Sequence, residues 1–465
     1  MSASVRDMTV GKPYKHIVAF ALPLMLGNIF QQLYTMTDAA IVGRFAGVEA
    51  LAAVGATDWL SWLIFGVISG AAQGFSILVA QRFGAQDEKG LRRAVAISVE
   101  LAAGIAALFT FLALLSVRGS LRLLHTPDSV FDMAALYLAI IYGGMPITMT
   151  NNLSGAILRA LGNSRAPLVA MSCAAVTNIA LDVLFVVVFR WGVAGAAAAT
   201  VLAQAVACLI CLHAIRRIPA LRLRRADWSF DRPVAQELLR LSAPIAVQNA
   251  IIAAGGMVVQ RVVNGFGFVF VAGFTATNKL YGVLEVAATS FGFSMATFSG
   301  QNLGAGRLDR IRTGTRSALL ISLATSGAIS LLMFLFGRAI LSLFVSADAA
   351  DAGAVLDVAV KYLNCMAAVL FVLYFLYVYR SALQGMGDTV VPMLSGFVEM
   401  LMRVATALLL PLVIGQDGIY LAELTAWLGA TILLGAGYYR RIARLERNAS
   451  KSADFEAKEK GSAVC

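Results

Sequence analysis

The chain has 465 residues, 59% of them hydrophobic and only 14% charged, with a mean hydropathy of +0.79. A soluble domain carries about 25% charged residues, so the composition excludes a soluble globular protein and reads as a polytopic membrane protein. The net charge of +11 invites a nucleic-acid reading, which the placement of the positive residues removes.

Apolar runs of about 20 residues, the length that crosses a bilayer, divide the chain into twelve predicted helices. The first covers 17–43. It is too long for a signal peptide and lacks a small-residue cleavage site, so it reads as a span. Near its end, in "YTMTDAAIVG" (34–43), stands Asp38. An ionised Asp in hydrocarbon costs at least about 2.5 kcal/mol, which asks for a reason. The second span, 50–80, carries Gly66, Gly70 and Gly74, a small-residue ridge suited to close packing. Spans at 91–117 and 130–158 follow. The fifth, 166–189, contains "NIALDVLF", where Asn178 and Asp182 are four apart and share a face. The sixth, 192–215, holds Thr200, and also Cys208 and Cys211, which inside a span read as packing residues and not as a redox motif.

A second set covers 237–263, 268–299, 312–337, 355–383, 391–414 and 418–440. Glu285 falls near mid-membrane in the eighth span. Glu399 and Arg403 are four apart in the eleventh, with the Glu first, the favourable order for a pair within one helix. Asp58, Lys279 and Glu423 sit nearer span ends and read as structural. The chain is thus expected to comprise a tail (1–15), a six-helix lobe (16–218), a linker (219–236), a second six-helix lobe (237–441) and a polar, disordered tail (442–465).

Placing both termini in the cytoplasm puts 28 of 37 Lys and Arg on the inner side, Arg380 among them, and 8 on the outer. The positive-inside rule selects that orientation, and inner loops facing anionic lipid account for the basic charge without nucleic acid. The two halves also repeat. At an offset of 220, Thr57 matches Thr277, "QRFGA" (81–85) matches "QNLGA" (301–305) and Arg92 matches Arg312. At 225, Tyr137 matches Tyr362, Gly162 matches Gly387 and Pro167 matches Pro392, with a five-residue insertion expected around Ser346 to Asp351. Six spans per repeat gives two parallel bundles about an axis along the membrane normal, a transporter architecture. The expected fold class is therefore an all-α integral membrane protein of twelve helices in two pseudo-symmetric six-helix bundles.

At 1.5 Å per residue, Asp38 and Asp182 fall at similar depths, roughly 24 to 32 Å from the inner ends of their helices, and can meet. Two adjacent carboxylates do not both ionise cheaply, so the pair shares a proton or holds a cation with Asn178 and Thr200 oxygens completing the shell. The alternative is a hydrogen-bonded pair that serves helix association alone. Glu285 is a candidate for meeting a cationic substrate, and the Glu399–Arg403 pair either neutralises itself or lines the cavity. Walker A, G-x-S-x-G and H-E-x-x-H signatures are absent. No enzymatic activity, resident metal or cofactor is expected.

"TDAAIVGR" closing span one, "NIALDVLF" in span five and the paired "QRFGA" and "GQNLGA" loops resemble the multidrug and toxic compound extrusion (MATE) family over about residues 15 to 440. The resemblance implies a cell-membrane exporter of organic cations and amphipathic compounds, driven by inward H⁺, favoured here, or Na⁺. It places the cation site on Asp38, Asn178, Asp182 and Thr200, with Tyr34 and Asn152 lining the same lobe. Some members also use an acidic cluster in the C-terminal lobe. This chain has Gln248 and Asn249 where an acid stands in span seven, so weight shifts to the N-terminal lobe. Small-molecule substrates, membrane lipid and a monomeric state are expected. A lipid-linked sugar flippase of related fold is the nearest rival, but its long cationic cavity suits poorly a chain whose intramembrane charges are mainly acidic. A non-transporting sensor or scaffold offers no reason for the duplication.

Overall fold

The structure, a computed structural model, describes residues 5–344 and 351–462. Among these residues the chain is helical and contains no strand. The helices of the first half are α1 (Pro13–Ile41), α2 (Val48–Gly84), α3 (Glu88–Leu123), α4 (Asp128–Gly143), α5 (Met145–Ala160), α6 (Arg165–Asp182) and α7 (Gly192–Arg216). Those of the second are α8 (Arg232–Val263), α9 (Phe268–Gly304), α10 (Leu308–Leu341), α11 (Ala352–Ala368), α12 (Leu370–Gly385), α13 (Val390–Leu409), the short α14 (Pro411–Ile414) and α15 (Asp417–Ser462).

Among the described residues nine helices are long and apolar enough to cross a membrane, and two bent helix pairs bring the number to eleven; α9 occupies the place of the one remaining expected span, 268–299. The runs expected as single helices at 130–158 and 355–383 bend by 48° between α4 and α5 and by 50° between α11 and α12. The breaks fall at Gly144 and Val369, which hydropathy does not register because the apolar run continues through them. The polar tail also departs from expectation: α15 continues to Ser462, through a stretch rich in Ala, Glu, Lys and Arg, which are strong helix formers.

The repeat is visible in the backbone. Gly47 and Gly267, 220 apart, adopt φ of 99° and 88° ahead of α2 and α9, which are each 37 residues long. Gly162 and Gly387, 225 apart, adopt φ of 77° and 75°. These are left-handed conformations that glycine reaches without a Cβ penalty, so both matches have a conformational reason. The insertion expected from Ser346 falls outside the described residues except for Asp351. Arg92 and Arg312 have equivalent partners as well. Arg92 meets Asp227 of the linker at 3.5 Å and Arg312 meets Glu446 at 3.2 Å, so each third span holds the segment that follows the sixth span of its own half.

The lobes interlock through their first helices. Ile17, Phe20, Ala21 and Leu24 of α1 are buried in the core of the second half, while Ala235, Leu238, Leu241 and Ile245 of α8 are buried in the core of the first. Each crossing ends beside an in-helix proline, Pro23 or Pro244. Past Pro23, Gly27 packs on Met171 and Leu168 of α6. The glycine ridge of α2 faces α8, where a Cβ on Gly70 or Gly74 would stand 2.8 Å from Ala246 or 2.2 Å from Ser242.

At the end of the molecule carrying the termini and linker, hereafter the basic end, the paired loops lock together. A Cβ on Gly84 would lie 1.9 Å from the Gln301 carbonyl, and one on Gly304 would lie 1.9 Å from the Gln81 carbonyl. Gln301 donates to the Ala160 carbonyl at 2.8 Å, and Gln81 to the Gly385 carbonyl at 3.0 Å. The N-terminal segment straps across the join. Arg6 N–H donates to Leu161, Met8 N–H to Gln301 Oε1, and Arg310 to the Met8 and Gly11 carbonyls. The quoted motifs thus form the closure of the basic end.

Candidate functional site

Two polar regions lie within the spans, one inside the first lobe and one between the lobes. The first is built where α1 and α6 both lose α-helical geometry. α1 passes into a π-helical turn at Val42–Ala46, just after Asp38, and α6 passes into another at Val183–Val188, with Asp182 as its last α-helical residue. Single π turns inside helices recur at functional sites. They also widen the local hydrogen-bond spacing and re-aim the neighbouring side chains.

The Asp38 and Asp182 carboxyls face each other within interaction range, and Tyr34 and Tyr137 lie in the field of both. Asn178 and Asp182 are fully buried. Five buried polar atoms here have no protein hydrogen-bond partner: Asp38 Oδ1, both Asp182 oxygens, and Asn178 Oδ1 and Nδ2. Buried polar groups are nearly always satisfied, and four of these five atoms are oxygens that accept. The set fits a small cation or a shared proton. Thr200 lies on α7, half-buried, and Asn152 donates to the Thr148 carbonyl of its own helix. Among the described residues no hydrogen bond joins either to the carboxylates. Tyr137, on α4, was identified only through the repeat, since a tyrosine inside an apolar span gives no sign of which way it points.

The second region is a cavity of about 870 Å³ between the lobes. Its lining runs along α2 from Asp58 to Gln73, along α8 from Ile245 to Gln260 and along α9 from Phe274 to Phe293. Those ranges lie away from the closed basic end, so the cavity belongs to the opposite half of the molecule. Trp59, Trp62, Phe65 and Tyr281 supply aromatic wall, while Asp58 and Lys279, expected to be structural, are part of the lining.

Glu285, Gln248, Glu399 and Arg403 all line this cavity. Glu399 and Arg403, however, do not make the expected pair within their helix. Glu399 pairs with Arg380 of α12, and Arg403 Nη2 donates to Glu423 of α15 at 2.8 Å. Each charge reaches a neighbouring helix because both side chains point into the bundle, where a facing helix offers a straighter approach than the next turn does. Arg380, counted with the inner loops, is 7% exposed and lies within α12, so it takes no part in the charge asymmetry. Glu285 accepts from the Tyr377 hydroxyl. A chain of three glutamines joins α2 of the first lobe to α12 and α8 of the second: Gln73 donates to Gln384 at 3.2 Å, and Gln384 to Gln248 at 3.3 Å. Cys173, Cys208, Cys211 and Cys365 are free, and no cluster of three or more His, Cys, Asp or Glu suited to a metal occurs among the described residues.

The MatE family model matches residues 23–184 and 244–409, one segment in each lobe. The chain is 30% identical to the probable multidrug resistance protein YpnP of Bacillus subtilis over 343 residues, which cover 73% of this chain and 76% of that protein. It is 24% identical to the probable multidrug resistance protein NorM of Thermotoga maritima over 395 residues, 83% of this chain and 82% of the relative. In fold it is similar to a multidrug resistance MATE family transporter of the MOP superfamily solved in an outward-facing conformation. The TM-score is 0.89 at 23% identity, covering 96% of this chain and 99% of that one.

Proposed function

The chain belongs to the MatE family of multidrug transporters, and from that premise we propose that it is a secondary active exporter, a cation/drug antiporter of the cell membrane working by alternating access. Its lobes are residues 16–218 and 237–441, and both termini and the 219–236 linker lie in the cytoplasm, where their Lys and Arg belong. The basic end is then the inner face, closed, and the cavity is outward-facing. The lobes rock about this cavity, and binding at one site biases which end is open.

One observation carries the reading: a carboxylate pair with unpartnered oxygens, buried in one lobe and apart from the cavity between the lobes. Asp38 and Asp182 load the driving cation, H⁺ in preference to Na⁺, with Asn178 and Thr200 as supporting oxygens. Loading removes one of the pair's negative charges and repacks α1 against α6, and α1 has a weak point at Pro23, where a backbone hydrogen bond is missing. Cation and substrate thereby compete through the conformation and not for one set of ligands. The cargo is amphipathic or cationic small molecules held against the aromatic wall, with Glu285 as a counter-charge.

The test is ethidium efflux from proteoliposomes under an imposed pH or Na⁺ gradient, comparing wild type with Asp38→Asn. One gradient drives efflux in the wild type and names the ion, and the substitution abolishes the coupled component. Efflux that survives Asp38→Asn moves the coupling site elsewhere.

A further inference from the structure

The repeat partners α2 and α9 belong to different lobes and touch most closely at one end. At the basic end Gly84 and Gly304 leave no room for a Cβ against the opposite glutamine carbonyl, and a Cβ on Gly300 would stand 2.9 Å from Ala80. Farther along, Ser76 and Ile77 of α2 and Ala296 and Thr297 of α9 line the small void, and beyond it both helices line the cavity. The two helices thus form a V with its vertex at the basic end and its arms on facing walls of the cavity.

Each arm carries a charge, and the two are of opposite sign. Asp58 of α2 and Lys279 of α9 line the cavity, both are exposed, and neither has an ion-pair partner among the described residues. At the offset of 220 the match of Asp58 is Asn278, the neighbour of Lys279. The repeat therefore sets both charges at one depth, about 38 Å along the helix from the glycine contact at about 1.5 Å per residue. Lys279 already lies in the field of Asp58. Asp58 lies also in the field of Asp38, and a like charge nearby increases what it gains from meeting a cation. Arg380 and Arg403, the other cations of the lining, are held by Glu399 and Glu423, which leaves Lys279 as the unpaired one among the described lining residues.

We propose that Asp58 and Lys279 are the outer gate of the exchange: when the lobes rock to open the basic end, the arms of the V close and the two side chains join as an ion pair across the cavity. With the arms open the charges stand apart in water and contribute little. Closing expels water, and the attraction grows as the local dielectric falls. Neither residue enters the closed arrangement alone without leaving an unpaired charge in it. The pair therefore stabilises the inward-open state, whereas glycine packing and glutamine hydrogen bonds hold the opposite, outward-open one. This inference rests on the alternating access proposed above and adds which residues shut its outer side.

The test measures how often the basic end opens. The full chain, cysteine-free except for Ser76→Cys in the void, is reconstituted in lipid vesicles and labelled with an impermeant maleimide from the linker side. The labelling rate follows the inward-open population. Asp58→Asn lowers it about fivefold, the upper end for an ion pair in contact with water, and Lys279→Gln does the same. The double variant labels no more slowly than the slower single one, because the interaction is already lost. As a control, Ser69→Cys on the cavity wall labels from the opposite side at an unchanged rate, which shows each variant to be folded and open outward. A variant that fails this control is replaced by Asp58→Ser or Lys279→Met, which also remove the charge. Unchanged Ser76→Cys rates overturn the inference and leave alternating access standing. A double variant slowed by the product of the two single effects also overturns it, since the residues then act separately. No labelling of Ser76→Cys without either substitution removes alternating access, and the gate with it.

Discussion

A buried ion pair is weak evidence for stability, because desolvation offsets much of the attraction, yet breaking one by removing a single partner is expensive. Arg380–Glu399 is such a pair, with side chains 9% and 5% exposed. Arg380→Ala therefore destabilises the fold by about 3–5 kcal/mol, and adding Glu399→Ala recovers most of the loss, read as the melting temperature of each purified variant. A double variant no better than the single one makes the charge pair irrelevant and leaves packing as the cause. Asp38 and Asp182 were legible in the sequence because a lone carboxylate in an apolar run has no ordinary use. Arg380 was not, for the same hydropathy rule reads "YRSALQG" as the polar end of a span. Its partner Glu399 lies 19 positions away on another helix, a separation that no helical periodicity reports. Gln248 was noticed only as the place where an acid is missing. That its amide nitrogen lacks a partner depends on Gln384, which no pattern in the chain connects to it.

At the scale of elements, the motifs read as repeats turned out to be contacts. The "QRFGA" and "QNLGA" loops keep their glycines because each faces the other's glutamine carbonyl, with no room for a methyl group. Gly84→Ala forces α2 and α9 apart at the basic end. The overpacking costs about 1–3 kcal/mol, which shifts the balance toward an open basic end by roughly 5- to 150-fold. The readout is maleimide labelling of Ser76→Cys in a cysteine-free background, since Ser76 lines the small void beneath the cavity. Labelling from the side of the linker accelerates in the glycine variant, and an unchanged rate means that this contact is not the gate. Pro244 marks where α8 leaves the opposite lobe's core, as Pro23 does for α1. That exchange of first helices was not legible, because the pattern of a helix tells which face is buried and never against which neighbour. The breaks at Gly144 and Val369 escaped for a related reason: apolar side chains continue across both, and what fails there is backbone geometry.

For the molecule as a whole, the proposed antiport, with its cation on the Asp38–Asp182 pair and its substrate in the cavity between the lobes, fixes what an exchange cycle moves. A single carboxylate pair takes one cation per turn. One monovalent cation entering against one cationic substrate leaving carries no net charge, so membrane potential does no work on that exchange. Against an amphoteric substrate of zero net charge, the same turn moves one charge inward. About 100 mV then contributes about 2.3 kcal/mol per charge, which is roughly fiftyfold in the attainable gradient at about 1.4 kcal/mol per tenfold. In proteoliposomes with a fixed ion gradient and a potassium diffusion potential, export of a zwitterionic substrate therefore steepens with an interior-negative potential of that size, and export of a cationic one does not. Export of the cationic substrate that also steepens with potential means that a second cation crosses in each cycle. The additional ion then requires a carboxylate outside the Asp38–Asp182 pair, and Glu285, on the cavity wall with no cationic partner among the described residues, is where Glu285→Gln would locate it.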